Sequence, residues 1–516
     1  MKTKPFRQAS EADVALLLEG TFPYVPGGVS AWVEKMVRSF PQYTFALVFI
    51  GGRRQDYGEP VYSLPDNVVH LETHFIHEPA AGAPVKASAG NAEVFDRVAR
   101  FHDALRDPST AGAVSSLLGG LLPMLGSSGE LGEQEFLHSE RSWEQICERY
   151  QKFSTDPSFT DYFWTVRIMH KPIWQLITVS QQLIPAKIYH TVSTGYAGFL
   201  GALLSLQHEA PLLVSEHGIY TKERKIDLLQ SQWIRDNRGL IEKDISQPGY
   251  LQELWVRFFQ ALGRICYEAA DEIVSLYEGN RARQIQDGAP EARTRIIPNG
   301  ISVSRFQPLR MRRAAQVPPV VAFIGRVVSI KDVKTFIRAV FIASRDIPEL
   351  EAWVIGPDNE EPQYARECRD LVAGLGMQER CKFLGMQRID DFLPQVSVVA
   401  LSSISEGLPL VILEAFAAGV PVVSTDVGAC SSLIEGNGEE DRALGKAGRL
   451  VPIANPEKFA GALTELLTDE EVWRSAQVAG IARVERFYTD TMMRDSYEGL
   501  YEKLLSGATR KSMEGV

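Results

Sequence analysis

At 516 residues, with 45% hydrophobic and 23% charged residues, the chain is too long for one hydrophobic core and predicts two domains. A formal charge of −11, with no block of Lys or Arg to offset it, excludes a general nucleic-acid binder. Five widely spaced cysteines without Cys-x-x-Cys fit a reducing compartment and exclude a zinc ribbon, and no run reaches the ~18–20 apolar residues of a membrane span.

In chain order, residues 14–18 are a short apolar run, too brief for a secretion signal and suited to a buried parallel strand. Pro26-Gly27-Gly28 follows, and then Val29, Trp32, Val33, Met36, Val37 and Phe40 recur at helical spacing. From about 85 to 180 the pattern turns helical, with Trp143, Tyr150, Phe163 and Trp174 at the ends of amphipathic stretches, which predicts a helical insertion. Strands are expected at 187–190, 212–216, 273–276 and 294–297, and 195–206 reads as a buried helix. Asn299-Gly300 predicts a turn with positive φ. A second strand–loop–helix opening comes at 320–324, 325–331 and Val333, Phe336, Ile337, Val340 and Phe341. Strands at 350–355, 381–384, 397–401 and 420–424 follow, and 456–506 reads as consecutive helices. The fold class is therefore α/β, two Rossmann-like doubly wound domains in tandem.

The densest chemical signal is residues 402–425, SSISEGLPLVILEAFAAGVPVVST. A strand end runs into a Glu406-Gly407-Leu408-Pro409 turn and then into a helix whose free N–H groups suit phosphate. Glu414, among Ile412, Leu413, Ala415 and Phe416, is a carboxylate on a buried helix and needs a donor, such as a ribose hydroxyl or a structural cation. Arg326 and Lys331 lie in the loop after the first strand of the second domain, where fixed cations neutralise a leaving diphosphate or are merely solvated. His217 ends an apolar strand, where ligand groups collect in open α/β sheets. Lys222, Arg224 and Lys225 follow as a basic cluster, either meeting an acceptor or facing solvent; Glu216 and His190 are equally open. There is no P-loop, no Gly-x-Gly-x-x-Gly and no Asp-x-Asp, and His70, His74 and His77 sit in a strand-and-loop context unsuited to a shared metal. No metal and no cofactor are expected.

This set of motifs resembles the retaining glycosyltransferase family 4, with its GT-B architecture of two Rossmann-like domains facing a cleft. The resemblance implies that Glu406 faces the donor sugar through its 3-hydroxyl. Gly407, Leu408, Pro409 and Leu410 would lie over sugar and diphosphate, and Glu414 would hold the ribose. It further implies that Arg326 and Lys331 meet the diphosphate, that Gly27 and Gly28 form the glycine loop of the first domain, and that His217 lies near the sugar's 6-hydroxyl. Within the family, the helical insertion and Ser215-Glu-His-Gly-Ile-Tyr-Thr-Lys-Glu-Arg224 are similar to the cytosolic glycosyltransferases of bacterial Pel exopolysaccharide systems. That similarity implies a UDP-sugar donor, a polysaccharide acceptor, inner-membrane export proteins as partners and a cytoplasmic location. The implied domains are 1–306 on the acceptor side with the insertion, 307–487 for the donor, and 488–516 as a helix packing back on the first domain. A non-hydrolysing UDP-sugar epimerase and a nucleotide-sugar-binding scaffold subunit are the rival readings.

Overall fold

In the computed structural model, the described residues are 8–507 apart from 79–87, 108–109, 111, 127–128, 232, 238–246 and 314–318. The chain divides into two compact units, the first from Met1–Ser275, Arg281–Ile296 and Glu498–Val516, the second from Leu276–Asn280 and Ile297–Tyr497. Each is built on one all-parallel sheet, so the fold is the expected pair of Rossmann-like domains.

The first sheet holds β1 (Ala12–Glu19), β2 (Phe45–Gly51), β3 (Val68–Phe75), β4 (Ala186–Thr191), β5 (Leu212–Glu216), β6 (Glu272–Ser275) and β7 (Thr294–Ile296), in the order β3-β2-β1-β4-β5-β6-β7. Every residue of β2 is buried, because helices cover both faces of a parallel sheet. The helix expected after Pro26 spans Gly28–Ser39 and buries Trp32, Val33, Met36 and Val37. The helix foreseen at 195–206 is Tyr196–His208, buried from Tyr196 through Ser205.

Of the insertion, residues 85–87, 108–109, 111 and 127–128 lie outside the described residues. The remainder forms the helices Ala92–Arg106, Val114–Leu121, Glu133–His138, Glu140–Phe153 and Phe159–Gln182. Their starts are written in the sequence: Asn91, Ser139 and Ser158 each accept a hydrogen bond from a main-chain N–H of the first turn. The last helix among the described residues, Asp490–Leu505, carries Tyr501 and Lys503 into the first unit, where the Tyr501 hydroxyl pairs with His190 Nδ1 at 2.8 Å and Lys503 Nζ donates to Glu272 at 2.5 Å.

The second sheet holds β8 (Val320–Ile324), β9 (Glu351–Ile355), β10 (Cys381–Gly385), β11 (Val398–Leu401), β12 (Val422–Thr425) and β13 (Gly448–Val451), in the order β10-β9-β8-β11-β12-β13. Alternation divides its core: Ala322, Val399 and Val422 pack on one face, Val321, Val398 and Val423 on the other. β13 was not expected, since Gly448 and Arg449 interrupt the apolar run. Glycine stands there because a Cβ at 448 would lie 1.8 Å from the Val422 carbonyl oxygen of β12.

Gly300 departs from expectation. It is absent from the positive-φ residues, so the Asn299-Gly300 turn is not left-handed. Its Cβ would instead lie 2.4 Å from the Thr489 carbonyl oxygen, where Ile301 bridges to Thr489. Close approach of two backbones, not turn geometry, requires glycine at 300.

Candidate functional site

The second unit brings its chemistry together where β8 and β11 end. After β8 the chain turns through Gly325 into the short helical turn Ser329–Lys331 and then the helix Val333–Ala343, capped by Asp332 in a left-handed conformation. After β11 it runs through Ser402–Pro409 into the helix Leu410–Ala417. The two loops are stitched: Ile404 N donates to Ile330 O at 2.8 Å, and Ser402 Oγ donates to Lys331 O at 3.0 Å. This stitching sets Lys331 Nζ 2.5 Å from Glu406 Oε1, which also accepts from Ser403 Oγ at 2.6 Å. Gly428 lets the Glu406-Gly407 turn close, since a Cβ there would stand 2.3 Å from Glu406 O. Gly407 O accepts from Ala429 N at 2.8 Å.

Pro409 precedes the helix Leu410–Ala417, which carries neither a side-chain cap nor an acidic residue in its first turn. The positive end of that helix therefore meets no fixed anion of its own. Gly407, Leu408, Pro409 and Leu410 form this turn and helix start, as the sequence implied. Glu414 sits on the same helix without a hydrogen-bond partner among the described residues, and burial pushes its carboxyl up to about 7, Arg305 lowering it and Asp390 raising it.

A raised carboxyl favours the folded state only while protonated. Its contribution is complete below the ordinary carboxyl value of 4.5 and is lost as the pH rises through about 7. Glu414→Gln, which mimics the protonated form at every pH, is therefore expected to melt with wild type at pH 4.5 and above it at pH 8. The difference should be on the order of 3 kcal/mol, read by thermal melting.

Arg326 and Lys331 are not brought together. Arg326 Nη1 turns to Glu360, at 2.5 and 2.6 Å, both side chains half exposed, while Lys331 turns to Glu406. Glu361 holds the same loop by accepting from Ser329 N at 3.0 Å. Sequence patterns do not show these acidic partners, because they come from the loop after β9.

In the first unit, a cavity of about 420 Å³ opens at the carboxyl ends of β1, β2, β4 and β5. Its polar lining includes Glu19, His77, His217, Tyr220, Glu223 and Arg224. His217 is the residue expected here. Burial drives its imidazole down to about 4, its Nε2 has no partner among the described residues, and its ring stands edge-on to Trp32 at 4.7 Å. Glu216 and His190 face inward instead. Glu216 accepts from Tyr267, Gln284 and Thr194 at 2.5, 3.0 and 3.0 Å, and His190 also pairs with Ser215 Oγ at 2.9 Å. Both serve the core of the first unit.

The basic cluster separates: Lys222 and Lys225 are exposed, whereas Arg224 folds over the rings of Tyr220 and Phe259. Gly27 and Gly28 open the helix Gly28–Ser39, and a Cβ on either would meet nothing within 4 Å, so packing alone does not demand glycine. Glu19 was missed as a site residue; the only signal is a carboxylate closing an apolar strand. His70 and His74 both pair with Glu72, at 2.7 and 2.9 Å, along β3. No cluster suited to a metal ion occurs among the described residues, nor is any helix there long and apolar enough to cross a membrane.

Comparison with known proteins places this geometry. Residues 12–292 match the family described as a domain of unknown function, DUF3492, and residues 318–469 match glycosyl transferases group 1. A D-inositol 3-phosphate glycosyltransferase of Acidothermus cellulolyticus is 28% identical over 52% of this chain and 60% of its own length. An exopolysaccharide phosphotransferase of Streptomyces coelicolor is 31% identical over 46% of this chain and 24% of its own length. The chain thus spans less than two thirds of either relative. Among solved structures, Anabaena HepE in complex with UDP aligns with a TM-score of 0.55 at 14% identity, over 95% of this chain and 100% of that one. Sucrose-phosphate synthase of Thermosynechococcus elongatus aligns with a TM-score of 0.56 at 15% identity, over 96% and 100%. At such identity the likeness is one of fold, and the fold is that of the GT-B glycosyltransferases. With one family model covering more than half its length, the chain belongs to the DUF3492 family, joined here to a group 1 glycosyltransferase domain.

Proposed function

We propose that the protein is a retaining, metal-independent glycosyltransferase. It would move a hexose from a UDP-sugar, UDP-glucose or a UDP-N-acetylhexosamine, to a growing extracellular polysaccharide of the Pel type. The observation that carries this reading is the Lys331–Glu406 pair beside the uncapped start of the helix Leu410–Ala417. A cation and free main-chain N–H groups suit a diphosphate, and a fixed carboxylate suits sugar hydroxyls. Glu414, left without a partner, would accept hydrogen bonds from ribose. The solved HepE with UDP and glucose supports a nucleotide-sugar on this fold, and the motif at 215–224 supports the Pel-type subgroup.

Retention would follow a front-face course. The bond from the sugar's anomeric carbon to the diphosphate oxygen breaks as the acceptor oxygen bonds to the same face. The acceptor's proton passes to the departing phosphate oxygen. Lys331, Arg326 and the N–H groups near Leu408 would stabilise the charge that develops. Inner-membrane synthesis and export proteins are the proposed partners, and the cytoplasm the proposed location.

UDP titration by calorimetry between pH 6 and 8 tests this reading. Ribose hydroxyls donate to an ionised carboxylate, so affinity should rise with pH as Glu414, at about 7, loses its proton. Glu414→Gln should abolish that rise and weaken binding about tenfold, the weight of one charge-assisted hydrogen bond. Absence of UDP binding, or a pH-independent affinity in wild type, overturns it. Product analysis separates transfer from epimerisation: a new glycosidic linkage is expected, not an epimerised nucleotide-sugar.

A further inference from the structure

We propose that Ser403 and Thr425 are positioning residues: a relay of buried hydroxyls, from Thr425 through Ser403 to Glu406, aims one oxygen of Glu406 at a hydroxyl of the donor sugar. The relay thereby sets how strongly the site favours a sugar nucleotide over the bare nucleotide. The inference rests on the glycosyltransferase reading and assigns two further residues to its sugar side.

The two oxygens of Glu406 are used unequally. Lys331 Nζ and Ser403 Oγ both donate to Oε1, at 2.5 and 2.6 Å, and Oε2 has no partner among the described residues. A carboxylate offers about two acceptor positions on each oxygen, so Oε1 is filled and Oε2 is left for a ligand. The side chain is about one-tenth exposed, which keeps Oε2 within reach of a substrate.

Ser403 is the donor that can fix the direction of Oε2. Lys331 carries its ammonium on a flexible stem and can follow the carboxylate as it turns. Serine has a single χ angle, and Ser403 is completely buried, so its hydroxyl is a fixed point. A second donor on the same oxygen sets the plane of the carboxylate as well as its place. Ser-x-x-Glu spacing commonly marks a helix start, where each side chain turns to a main-chain N–H. No helix begins at Ser403: the next starts at Leu410, and the two side chains bond one another. The neighbouring Ser402, equally buried, ties the loop instead, donating to Lys331 O at 3.0 Å.

Thr425 holds Ser403 in turn. It ends β12 and is completely buried; its Oγ1 lies 2.6 Å from Ser403 O and 3.3 Å from Leu401 O. A hydroxyl has one proton to donate, and the shorter contact takes it. Threonine is stiff at χ1, and the pairing of Thr425 with Val451 of β13 fixes its backbone. The sheet therefore reaches the sugar through two hydroxyls and one carboxylate.

The test is calorimetry on the full-length protein with UDP, UDP-glucose, UDP-N-acetylglucosamine and UDP-N-acetylgalactosamine, without an acceptor. The readout is the affinity of the tightest sugar nucleotide relative to UDP. Ser403→Ala should lower that ratio about tenfold, the weight of one charge-assisted hydrogen bond, with UDP itself within about twofold of wild type. Thr425→Val, which keeps the shape and removes the hydroxyl, should lower it about threefold, a part of the same bond. The double variant should match Ser403→Ala, because Thr425 acts through Ser403. A merely structural role would loosen the start of the helix Leu410–Ala417 and weaken UDP and sugar nucleotides alike. The proposal is overturned by such an equal loss, by an unchanged ratio in Ser403→Ala, or by additive losses in the double variant. If Ser403→Ala does not fold, Thr425→Val decides alone, and an unchanged ratio there overturns the relay. Each of these outcomes leaves UDP binding by wild type, and with it the glycosyltransferase reading, in place. Absence of all nucleotide binding in wild type sinks that reading and the relay together.

Discussion

Lys331→Ala is expected to lower turnover about 10²–10³-fold, the usual effect of removing one preorganised donor from developing negative charge. The side chain is one-fifth exposed and its carboxylate partner, Glu406, about one-tenth. Loss of the ammonium leaves Glu406 with the Ser403 hydroxyl as its remaining side-chain donor, at 2.6 Å. Some stability is lost too, roughly 1–2 kcal/mol after allowing for solvent at the rim of the pair. Lys331→Arg should not restore the rate, because a planar fork cannot occupy the position of a compact ammonium held at 2.5 Å. Arg326→Ala separates chemistry from folding more cleanly. Its ion pair with Glu360 is half exposed on both sides and worth at most about 1 kcal/mol, so any large effect must fall on turnover. Steady-state rates with a UDP-sugar donor, measured beside melting curves, decide the matter. Turnover within tenfold of wild type in the Lys331→Ala protein removes Lys331 from the chemistry.

Why the fold was readable and the pairings were not is clearest at these residues. Strands such as Val320–Ile324 are apolar on both faces because helices cover the sheet on each side, and that burial is written as an unbroken hydrophobic run. Glu414 was readable as a carboxylate in need of a donor, because a short helix of Leu, Ile, Ala and Phe must be buried. The 75-residue separation of Lys331 and Glu406 hides their contact, which depends on two loops being stitched by a main-chain bond that any sequence can make and by one from the Ser402 hydroxyl to a distant carbonyl. Arg224 shows the same limit. Its neighbours Lys222 and Lys225 have the same charge and nearly the same position, yet the turn of the helix Tyr220–Gln230 sends one inward and two to solvent. Gly300 shows that a glycine can be demanded by a chain segment almost 190 residues away, which local turn rules do not contain.

Arg483→Ala is the substitution expected to cost the second unit most. The side chain is completely buried in the helix Glu470–Phe487, and its five N–H donors meet five acceptors. Nε donates to Asp441 Oδ1 at 2.5 Å; the two terminal nitrogens donate to the carbonyls of Leu433, Ile434, Asp441 and Gly445 at 2.8–3.1 Å. These carbonyls come from the ends of the short helices Cys430–Glu435 and Glu439–Arg442 and the turn beyond, so one cation ties several helix-end groups together, beside the main-chain bonds from Ala447 N to Ile434 O and from Leu444 N to Asp441 O. Removing it takes a donor from each of these groups and leaves the Asp441 carboxylate with the Asn437 N–H, at 2.8 Å, in place of its cation, a loss of about 3–5 kcal/mol. For a unit of this size that is a fall in melting temperature on the order of 10 °C. Lysine cannot substitute, since three donors on a flexible stem cannot serve five fixed acceptors. The double variant Arg483→Leu with Asp441→Leu should lose less than the sum of the single changes, because it removes the unpaired charge along with its partner. Additive losses in a melting-curve cycle would mean that the pair contributes nothing beyond packing. UDP binding should persist in the variants below their lowered melting points, because Arg483 acts on the frame of the second unit and not on Lys331, Glu406 or Glu414.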